Sequence, residues 1–191
     1  SYEMGYEFTA LLNGFSCDVA YGDLEAIAEI DGVSAVHIAN SYDRPVLETP
    51  QNEISGLMMG NYISRQSGYT GKGIVVAVLD TGLRTTHEAF QEYASMPITE
   101  TLTKEAIALA VAPGKYISAK VPFSYDYADK DNDVTDKDGH GTHVSGTAVG
   151  YAETEDGAII MSGAAPAAQM LSMKIFYDDK NGTRSDVYFY A

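Results

Sequence analysis

Two side chains able to do acid–base chemistry stand in unusual surroundings in this sequence. Asp80 closes the apolar run Ile74-Val75-Val76-Ala77-Val78-Leu79 and is followed by Thr81-Gly82. A carboxylate at the end of a buried strand needs a partner that makes its charge tolerable. His140 opens a segment of small residues, His140-Gly141-Thr142-His143-Val144-Ser145-Gly146-Thr147, preceded by Asp138-Gly139. At a helix start the dipole disfavours imidazolium, whereas a neighbouring Asp80 carboxylate favours it. An imidazole held between those two influences suits a general base. Alone, Asp80 reads as a turn cap and His140 as a buried histidine bonded to backbone. Together they read as an acid–base pair.

A second chemistry competes. His143 lies three residues after His140, on the same side of a helix, so His140, His143 and Asp80 form a candidate zinc set for a metal-dependent hydrolase. Against it, no glutamate stands between the histidines and no third-ligand motif follows. Asp129-x-Asp131-x-Asp133 resembles the opening of a calcium loop, but Val134 stands where the sharp turn needs Gly and His140 where the bidentate Glu belongs. A solvated acidic loop is the expectation, with structural calcium an allowed extra. His87 has no supporting partners and reads as structural. Cys17, in the alternating stretch Leu12, Phe15, Cys17, Val19, reads as a small buried hydrophobe, and a lone cysteine excludes an internal disulfide.

The elements that must position Asp80 and His140 follow from patterning. An unbroken β-branched run bounded by Gly73 and Gly82 predicts a strand buried on both faces, as in a parallel α/β sheet, with Asp80 at the edge where such sheets carry their chemistry. His140 to Gly150 predicts a helix whose small residues allow close, deep packing. Helices are also predicted from Ile54 to Arg65, with Leu57, Met58 and Tyr62 on one side, and from Thr103 to Ala112, stopped by Pro113-Gly114. Tyr116 to Tyr127 alternates like a strand, with Pro122 demanding an edge or a bulge. Met170 to Phe176 reads as another strand, and Ser185-Asp186 opens a helical pattern that reaches Ala191.

The first 42 residues have a different organisation. Tyr6 to Val19 reads as strand broken at Asn13-Gly14, Asp23 as the cap of a helix bearing Leu24, Ile27, Ala28 and Ile30, and Val33 to Ile38 as a second strand. This piece offers little apolar area to bury. Residues 43–53, with two prolines and no periodicity, read as a linker, which leaves 54–191 as the second domain.

Composition sets outer bounds. The chain has 191 residues, 45% hydrophobic and 20% charged, an ordinary balance for a soluble globular protein. Its net charge of −15 argues against nucleic acid or an anionic membrane as partner. No apolar run is long enough to span a bilayer. The chain opens on Ser1 rather than Met, so an upstream portion is expected to have been removed, and the missing signal pattern carries no information on location.

Val78-Leu79-Asp80-Thr81-Gly82 and His140-Gly141-Thr142-His143-Val144-Ser145-Gly146-Thr147 resemble the Asp and His signatures of the subtilisin-like serine peptidases, in that family's order of Asp before His. Gly163-Ala164-Ala165-Pro166 and the strand after it resemble the segment that follows the His helix. His87-Glu88-Ala89-Phe90, Lys120-Val121-Pro122-Phe123 and Tyr125-Asp126-Tyr127 are similar to the cell-envelope proteinase and C5a-peptidase subgroup. Phe8 to Ser16, the Leu24 helix and Gly32 to Ile38 resemble the second half of the family's inhibitory propeptide.

The resemblance implies a serine endopeptidase made as a zymogen, secreted or held at the cell surface, with proteins or peptides as substrates and its own propeptide as partner. It implies that Asp80 orients His140, that His140 takes the proton of a Ser beyond Ala191, and that no metal or cofactor is required. It also implies a substrate-binding strand at Gly182, Thr183 and Arg184. Residues 1–191 alone are expected to be inactive, and a pseudoprotease binding module is the non-enzymatic alternative.

Overall fold

The computed structural model describes residues 3–10, 12–40, 42–43, 56, 58–110 and 113–178. These fall into two compact units divided after Asp43. In the first, Asn13-Gly14 turns the chain between β1 (Glu3–Phe8) and β2 (Gly14–Asp18), an antiparallel pair with a register shift between Met4 and Glu7. A 3-10 turn, Tyr21–Asp23, leads into α1 (Leu24–Ala28). Asp23 makes no side-chain cap bond, and the predicted strand from Val33 to Ile38 is absent. That segment has no ladder partner among the described residues, and apolar pattern alone does not hold an extended chain as a strand. Leu24 and Ile27 are half-buried, Ala28 and Ile30 are exposed, and no described residue of this unit is fully buried. Its low apolar burial follows directly from its size.

The second unit is α/β, built on a parallel sheet as the patterning requires. Its strands are β3 (Val75–Asp80), β4 (Phe123–Asp126) and β7 (Gln169–Lys174), with β7 in the middle. The register sets Asp80 and Asp126 on opposite sides of Lys174, all at the C-terminal edge of the sheet. Before it come α2 (Asn61–Gln66) and, between β3 and β4, α3 (Lys104–Leu109), capped by Thr103, whose hydroxyl accepts from the Ala106 amide. After β4 come α4 (His140–Val149) and the antiparallel pair β5 (Tyr151–Glu153) and β6 (Ile159–Ser162).

The structure corrects several expectations. β3 is not buried on both faces: Val76 and Val78 pack on the core, while Ala77 and Leu79 (37%) are exposed on the other face. The strand is an edge strand of the described sheet, and its apolar run serves a single packed face. Met58 and Tyr62 are exposed rather than forming a packed side. The expected strand from Tyr116 to Tyr127 shortens to β4, because residues 115–124 fold back, with Lys115 and Ser124 exchanging backbone hydrogen bonds. Pro122 lies just before β4, outside the ladder, where its missing N–H is tolerated.

The core joins Leu83, Ala89, Phe90, Val121, Val149, Ala168 and Met170, with Val76, Val78 and Met161 packed against it. Burying each large member stabilises the fold by about 1.5–3 kcal/mol. Gly163-Ala164-Ala165 closes the end of α4: the amides of Ala164 and Ala165 donate to the carbonyls of Thr147 and Ala148. A Cβ on Gly163 would stand 2.6 Å from the Gly146 carbonyl oxygen, so only glycine allows this approach.

Next to this closure sits Lys120, 1% exposed, whose Nζ donates to the carbonyls of Pro166 (2.7 Å) and Ala168 (2.8 Å). Burial pushes its pKa down to about 8, from 10.5. A neutral amine still carries two N–H groups for the two carbonyls. Between about 8 and 10.5 the unfolded chain therefore holds a proton that the folded chain releases, and stability attributable to Lys120 rises with pH across that window. Lys120→Met should lower the unfolding free energy by about 1–3 kcal/mol by leaving both carbonyls unpaired, and should remove that rise. Denaturant titrations of both proteins at neutral and alkaline pH check this, and equal stabilities at both would contradict it.

Candidate active site

β3 delivers Asp80 and α4 delivers His140, and the structure brings the two together. Asp80 Oδ1 lies 2.7 Å from His140 Nδ1. The same oxygen accepts from the Thr81 amide at 2.7 Å. Asp80 is buried at the sheet edge and His140 is half-buried. A carboxylate in this position fixes the imidazole with Nδ1 carrying the proton, which leaves Nε2 as the basic nitrogen.

Two glycines make the approach feasible. A Cβ on Gly141 would stand 2.3 Å from the Gly82 carbonyl oxygen and 2.9 Å from its nitrogen. One on Gly82, whose φ is +123°, would stand 2.5 Å from the Val134 carbonyl oxygen. The Asp-Thr-Gly and His-Gly-Thr sequences are thus two halves of one backbone contact. Leu83 N donates to the Val134 carbonyl (2.7 Å), and Arg84 N to the Thr142 hydroxyl (3.0 Å), which prolongs the seam.

The helix start is held from below by a residue the patterning did not single out. Gly139, at the N-cap position with φ +95°, has no side chain to satisfy the first amides. Asp136 supplies the acceptor: Oδ1 takes the amides of Gly139 (2.8 Å) and Asp138 (3.2 Å), and Oδ2 takes the amide (2.8 Å) and hydroxyl (2.6 Å) of Thr142. Burial pushes this carboxyl up, but the hydrogen bonds from Thr142, Gly139 and Thr81 outweigh it and hold its pKa below the ordinary value. The detectable signal was Asp-x-x-Gly just ahead of a helix start, a side-chain acceptor followed by a turn.

Lys174, 2% exposed, is the other buried charge of this edge. Its Nζ lies 3.0 Å from both Asp126 Oδ2 and Asp178 Oδ2, and Asp178 also meets Lys137 at 2.8 Å. Burial disfavours the Lys174 charge, yet the bonds to Asp126 and Asp178 outweigh it and keep its pKa above the ordinary value. A strand pattern over Met170 to Phe176 does not specify such a pairing, so the sequence offered no signal for it.

The remaining candidates sort plainly. His143, on α4, has a buried Nε2 without a hydrogen-bond partner among the described residues. Among those residues no group of three or more His, Cys, Asp or Glu side chains is placed to hold a metal ion, so His140, His143 and Asp80 do not converge as a ligand set. Asp129, Asp131 and Asp133 are exposed, and Asp131 and Asp133 accept amides two residues on, from Asp133 and Thr135. His87 caps a short turn, its Nδ1 accepting from the Ala89 amide at 3.1 Å. Cys17 is half-buried rather than the buried hydrophobe expected, because its two-stranded unit covers it only in part. Gly182, Thr183 and Arg184 lie outside the described residues.

Comparison with known proteins shows the family. The subtilase family model matches residues 71–188. The chain belongs to the subtilase family. It is 30% identical over 176 residues to the PII-type proteinase of Lactococcus lactis subsp. cremoris, covering 90% of this chain and 9% of that protein. It is 31% identical over 178 residues to the PII-type proteinase of Lacticaseibacillus paracasei, with the same coverage. To the C5a peptidase of Streptococcus pyogenes it is 34% identical over 113 residues, 55% of this chain and 9% of that protein. The chain spans about 9% of the length of the first two relatives.

The Gly82–Gly141 contact yields a direct test. Gly141→Ala should cost about 1–3 kcal/mol of stability, because its Cβ meets backbone that cannot rotate away. Thermal unfolding reads the loss, and an unchanged midpoint would contradict the contact.

Proposed function

We propose that Asp80 and His140 are the orienting acid and the general base of a serine endopeptidase. The observation that carries the reading is the 2.7 Å contact between Asp80 Oδ1 and His140 Nδ1, which leaves Nε2 as the imidazole's basic atom. In the proposed reaction a serine Oγ attacks the scissile carbonyl carbon and its proton passes to Nε2 of His140. Asp80 stabilises the imidazolium without taking the proton, and His140 returns it to the leaving amine. Water then hydrolyses the acyl-enzyme, again with His140 as base. No serine or oxyanion donor is assigned to this site among the described residues, and residues 1–191 alone are expected to cleave nothing.

Proteins or peptides are the proposed substrates, with Gly182, Thr183 and Arg184 as the strand to which they add. The step needs no cofactor, and calcium at the acidic loop would be structural. A secreted or cell-surface location is proposed from the resemblance to the cell-envelope proteinase and C5a-peptidase subgroup. The first 42 residues are proposed to be the C-terminal part of an inhibitor-type propeptide, removed by cleavage within 43–53. What supports this is a separate unit whose described residues run to Asp43, none of them fully buried.

In the complete protein, Asp80→Asn should lower kcat about 10⁴-fold with KM little changed, since the imidazole then adopts the wrong tautomer. Steady-state kinetics on a peptide substrate measure it, and retained kcat would remove Asp80 from the reaction. N-terminal sequencing of the mature protein should find a new terminus between residues 43 and 53; a mature form still beginning upstream of Phe8 would contradict the propeptide reading.

A further inference from the structure

We propose that Asp136 is a positioning residue that sets the Asp80–His140 contact through the hydroxyl of Thr81, touching neither partner itself. Capping of α4 alone would account for the amides of Asp138, Gly139 and Thr142 on this carboxylate. It does not account for the Thr81 hydroxyl, which crosses from β3 to donate to Asp136 Oδ1 at 2.9 Å. Thr81 Oγ1 in turn accepts the amide of Gly141 at 2.9 Å.

The consequence is a closed set of bonds around both functional side chains. On one side, Thr81 follows Asp80 directly and donates its amide to the carboxylate oxygen that meets His140. On the other, His140 sits between Gly139, whose amide is held by Asp136, and Gly141, whose amide is held by Thr81. The Thr81 hydroxyl is therefore oriented by Asp136: with its proton committed to the carboxylate, its lone pair faces Gly141. Asp136 is only 4% exposed and ionised, so these bonds are charge-assisted and little weakened by water. Replacing the carboxylate by an amide keeps the shape but substitutes a donor for one acceptor oxygen, and that donor faces existing donors. Thr81 is then free to rotate, and β3 and α4 lose the link that fixes their separation.

This inference rests on the proposed peptidase reading, and its test separates the two. Asp136→Asn, Thr81→Val, their double variant and Thr81→Ser are compared in the complete protein, by peptide kinetics and by the ¹⁵N and ¹H signals of the His140 ring. Asp136→Asn and Thr81→Val should each lower kcat about 10–100-fold with KM nearly unchanged, the size expected for a small misplacement of a base. The double variant should fall no further than the worse single one, because both changes break one linkage. Thr81→Ser, which keeps the hydroxyl, should retain wild-type kcat and the wild-type ring signals. A lowered unfolding midpoint with kcat and ring signals unmoved would reduce Asp136 to a helix cap and overturn the proposal, as would losses that multiply in the double variant. Should Asp136→Asn fail to fold, the contrast between Thr81→Val and Thr81→Ser decides alone. A wild-type protein that cleaves no peptide would sink the peptidase reading, while the ring signals would still decide the role of Asp136.

Discussion

The backbone contact between Gly82 and Gly141 is the constraint on which the rest of the site depends. It lets the end of a sheet strand and the start of a helix meet without intervening side chains. Only at that separation can Asp80 reach the ring of His140 at 2.7 Å. The carboxylate and the imidazole are short side chains, so a wider seam could not be bridged by rotamer changes. Packing at the far end of the helix follows the same logic, with Gly163 set against the Gly146 carbonyl.

Bringing backbone elements this close crowds polar groups away from water, and each needs a partner. Asp136 gathers four donors that a glycine-capped helix and its approach loop would otherwise leave unpaired, and a fifth from the Thr81 hydroxyl beside β3. Lys174 is balanced by Asp126 and Asp178, and Lys120 by two carbonyls. A buried ion pair is weak evidence of net stabilisation, since desolvation offsets much of the attraction. What these groups contribute is uniqueness of arrangement: the loop before His140 has one low-energy placement because its donors have one carboxylate to meet.

Much of this was legible in the sequence, for reasons that can be named. The β-branched run before Asp80, the small-residue helix from His140 and the order of the two motifs are local signals, and they located the parallel sheet and the Asp80–His140 pair. β3's single packed face was not legible, because composition says that a strand is apolar and not how many faces are covered. The segment from Val33 to Ile38 failed for a related reason, since pairing partners are not encoded in the strand itself. The significance of Asp136, Lys120 and Lys174 lies in contacts with residues dozens of positions away, such as Thr81 with Asp136.

The central claim is that Asp80 holds His140 in one tautomer, with the proton on Nδ1 and the basic lone pair on Nε2. The ¹⁵N shifts of the His140 ring in its neutral form, recorded in the complete protein, test it most directly. The geometry predicts a protonated Nδ1 with a downfield, slowly exchanging proton and an unprotonated Nε2. A ring protonated on Nε2 with Nδ1 bare, or one exchanging freely between tautomers, would contradict the account.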